Sequence, residues 1–100
     1  MSDRELLEAA AKAAGIEFGW IHDTPRIRAE MGWTPWNPLT DDGDALRLAV
    51  KLELQLDLRH SFHTVRVYGA AEGRIDESGD PYAATRRAVV RAAAEILEGA

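Results

Sequence analysis

This 100-residue sequence contains no cysteine, which excludes a disulfide framework and a thiolate metal site. It has no apolar run long enough to span a bilayer, and its acidic first residues do not resemble a signal peptide. Positive charge is also scarce, because 12 lysines and arginines face 17 aspartates and glutamates, for a net charge of −5. These absences predict a soluble cytoplasmic protein that lacks general affinity for duplex nucleic acid and for membranes.

Two helices are predicted in the first half of the chain from cap signals and apolar spacing. Ser2 and Glu5 have the spacing of a capping box, and Gly15 is typical of the residue after a helix. The first helix should therefore cover about residues 3–14. Apolar residues at helical spacing place the second helix at about residues 42–51.

The third predicted helix begins at Pro81, where no backbone amide is needed, and ends at Gly99. One apolar stripe of this helix should face the core: Thr85, Val89, Ala92, Ala93 and Ile96. A second apolar set lies beside this stripe: Ala83, Val90, Ala94 and Leu97. Because surplus apolar surface often marks an interface, the sequence predicts a homodimer through this helix or through the sheet edge.

The segment between the first two helices is rich in residues that favour β-structure. Residues 16–22 are predicted to form a strand, and residues 26–31 a second, short strand or a short helical turn. Gly32 and Pro35 favour a loop over residues 33–36. This part of the chain is therefore expected to contribute one or two strands.

After the second helix, the apolar spacing changes from helical to alternating. Leucines at every second position of residues 52–58 predict a strand with one apolar and one polar face. A loop at residues 59–62 leads to a second strand, and residues 69–79 are expected to form a polar loop. The predicted register places Leu56 opposite Val65, Leu54 opposite Val67 and Gln55 opposite Arg66. It keeps the apolar residues of both strands on one face, whereas a slip by one residue would expose every leucine.

The predicted element order α-β-(β)-α-β-β-α indicates an α+β fold in a single domain over residues 1–100. A small antiparallel sheet of three to four strands, layered with helices, is the economical way to bury these elements. The first and third helices are rich in alanine and should approach each other closely. Because residues 52–58 alternate, at least one sheet face should be polar or lightly covered.

Asp41-Asp42-Gly43-Asp44 precedes the second helix and has two interpretations. A cation site of the EF-hand type needs a further glutamate at a fixed distance, and no glutamate follows there. Three carboxylates would also repel a phosphate. We therefore interpret Thr40 or Asp41 as the helix cap, with the other acids at the positive end of the helix. The sequence predicts no resident metal and no cofactor.

Six residues are candidates for a binding site: Trp33, Trp36, Asn37, Arg66, Tyr82 and Arg86. Large aromatic side chains in a loop can stack on a base or a peptide, or can close the end of a small core. Asn37 precedes a proline, and its amide can either hold the loop or contact a ligand. Arg66 and Arg86 could together bind a phosphate, although a solvated helix face also explains Arg86.

His60 and His63 lie three residues apart around a hairpin loop. A zinc site would need a third ligand, and Asp57 is the only near candidate, so exposed turn histidines are the simpler interpretation. Ser61 lies between them, but a catalytic triad is defined by its geometry in space. No catalytic residue is assigned, and an enzyme such as a phosphodiesterase is the least favoured class.

Three blocks of the sequence resemble the phage ABA-sandwich domain family: "LLEAAAKAAG", "WNPLTDDGDALRLAVKL" and "DPYAATRRAVVRAAAEI". Members are small proteins encoded in phage and prophage genomes. The resemblance implies helix–sheet–helix layers and carries no catalytic assignment. It also implies that the second block is structural, with an aromatic anchor, an extended Asn-Pro turn and a capped helix.

The resemblance and the lack of an assembled catalytic set predict a non-catalytic phage-type accessory protein in the host cell cytoplasm. Such a protein would bind and inhibit a host protein or defence complex, for example as an anti-CRISPR-like factor. Its acidic surface could occupy a basic, nucleic-acid-binding site on the target. The alternative is a binder that sequesters a nucleotide-derived immune signal through aromatic stacking and arginine–phosphate contacts.

Overall fold

The computed structural model describes residues 1–58, 64–68 and 74–98. The described residues form nine elements in this order: α1 (Asp3–Ala13), β1 (Phe18–Ile21), β2 (Thr24–Ala29), β3 (Gly32–Pro35), α2 (Asp42–Lys51), β4 (Gln55–Asp57), β5 (Thr64–Tyr68), β6 (Arg74–Ser78) and α3 (Pro81–Glu98). The predicted α+β class with antiparallel strands is confirmed, and the strands divide between two sheets. Within this described part, no helix combines the length and apolarity that crossing a bilayer requires.

The helix boundaries agree with the cap signals. The Ser2 hydroxyl accepts the backbone N–H of Glu5 at 3.1 Å, and the Ser2 N–H donates to the Glu5 carboxylate at 3.2 Å. This reciprocal pair is the predicted capping box. Gly15 has a φ of +69° just after α1, and α2 covers the predicted residues. The predicted end of the last helix at Gly99 lies outside the described residues.

Sheet A has the strand order β1-β2-β3, and each of its two turns has two residues. His22 and Asp23 form the first turn with φ values of +51° and +60°, as a type I′ turn requires. The predicted loop over residues 33–36 is wrong, because most of it belongs to β3. Pro35 is tolerated since it ends a strand at the sheet edge, where no ladder hydrogen bond is lost.

Sheet B has the strand order β4-β5-β6, and its first register differs from the prediction by two residues. The observed pairs are Gln55 opposite Tyr68, Leu56 opposite Val67 and Asp57 opposite Arg66. A shift by two keeps every side chain on its original face, so the apolar pattern cannot distinguish the two registers. The predicted loop at residues 59–62 lies outside the described residues.

Two parts of sheet B also differ in extent from the sequence prediction. The strand predicted over residues 52–58 is shortened, because Leu52 and Glu53 complete the end of α2 and Glu53 has a φ of +55°. The loop predicted over residues 69–79 contains β6. A charged strand of this kind is typical of a sheet edge, where apolar alternation is weak.

Helix α3 lies at the centre of the packing, against α1, α2 and the strands β5 and β6. The predicted close approach of α1 and α3 is confirmed, and Ala10, Ala88 and Ala93 are fully buried. Val90 is also fully buried, with an exposure of 0%, and Ala94 has 2%. Two members of the second apolar set, Val90 and Ala94, are therefore covered within the chain and do not supply the dimer surface predicted for them. Ala83 is exposed and Leu97 is partly buried, and a homodimer through this helix or through the sheet edge stays a prediction.

The two faces of sheet B differ in exposure. Val67 is fully buried beneath α3, and alternation places Gln55 and Arg66 on the opposite face, where both are exposed. The prediction of a lightly covered sheet face is confirmed. In the described ranges, sheet B therefore lacks the helix–sheet–helix layering that the family resemblance implies.

Candidate functional site

Asp41, Asp42 and Asp44 form the N-cap and first turn of α2, as predicted. The Asp41 carboxylate accepts the backbone N–H of Asp44 at 2.8 Å. Asp44 in turn accepts the N–H of Asn37 at 3.0 Å and a guanidinium N–H of Arg47 at 2.8 Å. Both carboxylates therefore hold the loop and the helix cap together, which is the structural interpretation of this motif.

Trp36 and Asn37 hold the segment between β3 and α2 in place. Trp36 is 3% exposed, and its ring meets the ring of Phe18 edge-to-face with centroids 5.8 Å apart. The Asn37 side-chain oxygen accepts the N–H of Leu39 at 3.0 Å, which is the hydrogen bond of an Asx turn. The side chains of Trp36 and Asn37 are therefore both engaged in contacts within the chain.

Trp33 lies on the opposite face of sheet A and is 37% exposed. It is paired with Arg28 of β2, whose guanidinium lies 5.9 Å from the centroid of the indole ring. Trp33 and Trp36 are three residues apart, so strand alternation directs one ring to solvent and the other to the core. The two tryptophans therefore do not share one aromatic site.

Arg86 is held between α3 and the loop before α2, with 19% of its side chain exposed. Its Nε donates to the carbonyl oxygen of Leu39 at 2.9 Å, and its Nη1 donates to the Asp42 carboxylate at 2.6 Å. Arg66 lies on the face of sheet B that points away from α3. The structure therefore does not bring Arg66 and Arg86 together as the expected phosphate site.

The remaining polar candidates lie around the hairpin of β4 and β5. His60, Ser61 and His63 are outside the described residues, so their interpretation as turn residues stays a prediction. Asp57, considered as a third zinc ligand, lies on β4 opposite Arg66. Within residues 1–58, 64–68 and 74–98, no group of three or more potential ligands could hold a metal ion.

An apolar groove opens between α2, β4 and the first turns of α3. Its volume is about 390 Å³, which lies within the range of sites that hold small molecules or single large side chains. Large apolar residues supply most of its walls: Leu46, Leu56, Leu58, Pro81, Tyr82 and Val89. The ion pair between Asp42 and Arg86 lies at its margin.

Three of these wall residues, Leu46, Leu58 and Tyr82, are also exposed to solvent. Of the candidates named from the sequence, the groove includes Tyr82 and Arg86, whereas the sequence analysis missed the two leucines. A signal for Leu46 was present, because it lies off the apolar stripe of α2 that faces the core. A large apolar residue at such a position is available to a partner.

No family model, curated protein or solved structure matches this chain. The resemblance to the phage ABA-sandwich domain family therefore stays an expectation from the sequence.

Proposed function

We propose that this protein is a non-catalytic, phage-type accessory protein that binds and inhibits a host protein. The observation that carries the proposal is the apolar groove between α2, β4 and α3, with Leu46, Leu58 and Tyr82 exposed around it. Burial of one large apolar side chain in such a groove contributes about 1.5–3 kcal/mol. Apolar and aromatic anchors of this kind supply most of the free energy in many protein interfaces.

The position of β4 favours an extended partner segment. β4 is at the edge of sheet B, where an added strand can form backbone hydrogen bonds. Leu56 and Leu58 are two residues apart and both line the groove. An added strand would therefore direct its own alternate side chains into the same groove.

The charge of the chain favours a basic residue in that segment. The side chains of Asp41 and Asp42 at the start of α2 are 59% and 68% exposed, although each already has an arginine partner, Arg47 and Arg86. The chain as a whole has a net charge of −5. We infer a partner segment that combines large apolar side chains with a lysine or arginine, as found beside nucleic-acid-binding sites of host proteins. Occupation of such a site would inhibit the partner.

Selection from a random library of short peptides tests the groove directly. We expect the protein to enrich peptides that carry alternating large apolar residues and at least one basic residue. Leu46→Glu should abolish this enrichment, because it places a charge in the apolar wall. The matched control is Met31→Glu, which also replaces an exposed apolar residue and lies outside the groove. Enrichment that survives Leu46→Glu would contradict the proposed site.

The inhibitory role is tested in bacterial strains that each carry one defence system. Expression of the protein should restore plaque formation by a phage that one of these systems restricts, and the Leu46→Glu variant should not. Circular dichroism of both proteins checks that the variant is folded. Unchanged restriction in every strain would contradict inhibition of defence. If a second copy of the chain occupies the groove in place of a host protein, sedimentation at high protein concentration will show a dimer.

A further inference from the structure

The outer face of sheet A combines an exposed aromatic ring with two arginines. Ile27 of β2 packs against the core, so strand alternation places Arg26 and Arg28 on the other face. Trp33 of β3 is paired with Arg28 and lies on the same face. This outer face is separate from the groove of the proposed function, so the inference below does not depend on that function.

The Trp33 ring extends from β3 across β2 to β1. A Cβ atom placed on Gly19 would lie 3.6 Å from atoms Cη2 and Cζ3 of the ring, although β2 separates β3 from β1. Neighbouring strands are about 4.8 Å apart, so the ring must cross the whole of β2. The end of the ring therefore lies over Gly19, at a distance where an added Cβ would be in ordinary van der Waals contact with it. With 37% of its surface exposed, Trp33 presents ring surface to solvent.

Arg26 and Arg28 have no anionic partner among the described residues, whereas four other arginines have a carboxylate within 4 Å: Arg47, Arg86, Arg87 and Arg91. The Nε atom of Arg26 is also buried without a hydrogen-bond acceptor. This donor is therefore not occupied by an acceptor among the described residues, and no internal hydrogen bond holds the guanidinium there. Glu17 is the nearest acid along the ladder, and its backbone carbonyl accepts the N–H of Arg28, but its carboxylate forms no ion pair with another described residue.

We propose that the outer face of sheet A binds single-stranded nucleic acid, with a base stacked on Trp33 and phosphates bound by Arg26 and Arg28. A guanidinium matches the geometry of a phosphate through two parallel hydrogen bonds. The two arginines lie about 6.6 Å apart along β2, which lets each contact a different phosphate. An exposed indole ring accepts any unpaired base on its face.

Two features select a single strand among the phosphate-containing ligands. The bases of a duplex are already paired and stacked, so they cannot lie on the Trp33 ring, and the net charge of −5 opposes a purely electrostatic contact. A free nucleotide is better held by an enclosed pocket, whereas this face is open. A strand that runs across the open face can contact all three side chains.

Fluorescence anisotropy with a labelled oligothymidylate of about 12 nucleotides tests the proposal. The unmodified protein should bind it, and Trp33→Ala should weaken binding by about 10-fold or more. Arg28→Ala should reduce the slope of log affinity against log salt by about 0.7, the contribution of one phosphate contact. The matched control is Arg66→Ala, an exposed strand arginine on the outer face of sheet B, which should leave affinity and slope unchanged.

Nuclear magnetic resonance of the unmodified protein gives a readout that does not depend on the folding of a variant. The chain has three tryptophans, and only the indole N–H signal of Trp33 should shift when the oligonucleotide is added, while those of Trp20 and Trp36 should not. An unshifted Trp33 signal at saturating oligonucleotide would overturn the proposal. Equal affinity for a hairpin duplex or for thymidine monophosphate would also overturn it.

Discussion

Sheets A and B are both three-stranded and antiparallel, but they are attached to the helices in different ways. Sheet A is attached by a few large side chains: the rings of Phe18, Trp20 and Trp36 meet edge-to-face around Phe18 and pack against the core that α1 and α3 share. The Trp20 indole also donates to the Glu8 carboxylate of α1 at 2.8 Å, and Arg4 stacks on its ring. Sheet B is attached through the length of α3, by many contacts of small residues. The contacts that join sheet A to the helices are therefore concentrated in a few large residues, whereas those that join sheet B are distributed over many small ones.

The turn that leads from α1 to sheet A and the turn that leads from α2 to sheet B are of the same type but contain different residues. After α1, the N–H groups of Gly15 and Ile16 donate to carbonyls of the last helical turn, as in a Schellman motif. After α2, Glu53 and Leu54 form the equivalent pair of hydrogen bonds. Gly15 has a φ of +69° and Glu53 a φ of +55°. Only glycine adopts this conformation without steric cost, so the entry to sheet B is the more strained of the two.

The largest expected effect is at the aromatic anchor of sheet A. Trp36→Ala should lower the free energy of unfolding by about 3–5 kcal/mol, because it removes the buried ring that holds β3 and the loop before α2. Val67→Ala, at a fully buried position of sheet B, should cost only about 2 kcal/mol, since its neighbours supply the rest of the attachment. Urea denaturation of both variants measures the difference. Equal losses would contradict the contrast between concentrated and distributed attachment.

A smaller effect is expected at the two entry turns. Gly15→Ala should destabilise the protein by about 1 kcal/mol, because alanine at a positive φ brings its Cβ close to the backbone. Glu53→Gly should stabilise it by up to about 1 kcal/mol, because glycine relieves the same strain. Thermal denaturation of the two variants should therefore give shifts of opposite sign. A destabilised Glu53→Gly variant would show that the Glu53 side chain has a role the turn geometry does not require.

The smallest expected effect concerns the start of α1, the helix against which sheet A packs. Two hydrogen bonds with Ser2 hold the pKa of Glu5 below its ordinary value of 4.5. The larger effect comes from the Ser2 backbone N–H and the smaller from the Ser2 hydroxyl. A lowered pKa in the folded state stabilises the protein above the unfolded-state pKa, and this contribution is lost as pH falls through the folded-state pKa. Glu5→Gln should flatten the stability profile in this acidic range and leave the slope near neutral pH unchanged. An unchanged acidic limb would contradict the role of the capping box.

Much of the helical structure could be predicted because caps are local. Ser2, Glu5 and Asp41 contact backbone groups within three residues, so the sequence itself contains both partners. Strand β3 and the register of sheet B could not be predicted in this way. The partner of Leu56 is set by the length of a connection and by packing under α3, and two registers satisfy the same alternation.

The candidate sites were harder to predict than the fold. Trp33 and Trp36 stand in the same aromatic segment, and only the assignment of β3 directs them to opposite faces. Arg26 and Arg28 share a face for the same reason, which becomes clear once β2 is known. The groove depends on the separation between α2 and β4, a tertiary feature that no local pattern records.

The packing of α1 against α3 has a consequence for synthesis on the ribosome. Residues 3–13 emerge long before residues 81–98, and Leu6, Leu7 and Ala10 are buried against the core that includes α3. Until the later helix is made, the nascent chain exposes the apolar stripe of α1 without its main covering element. Contacts between such distant segments form slowly. The fold is therefore completed only after residues 81–98 have emerged, and until then the exposed stripe of α1 makes the nascent chain prone to aggregation.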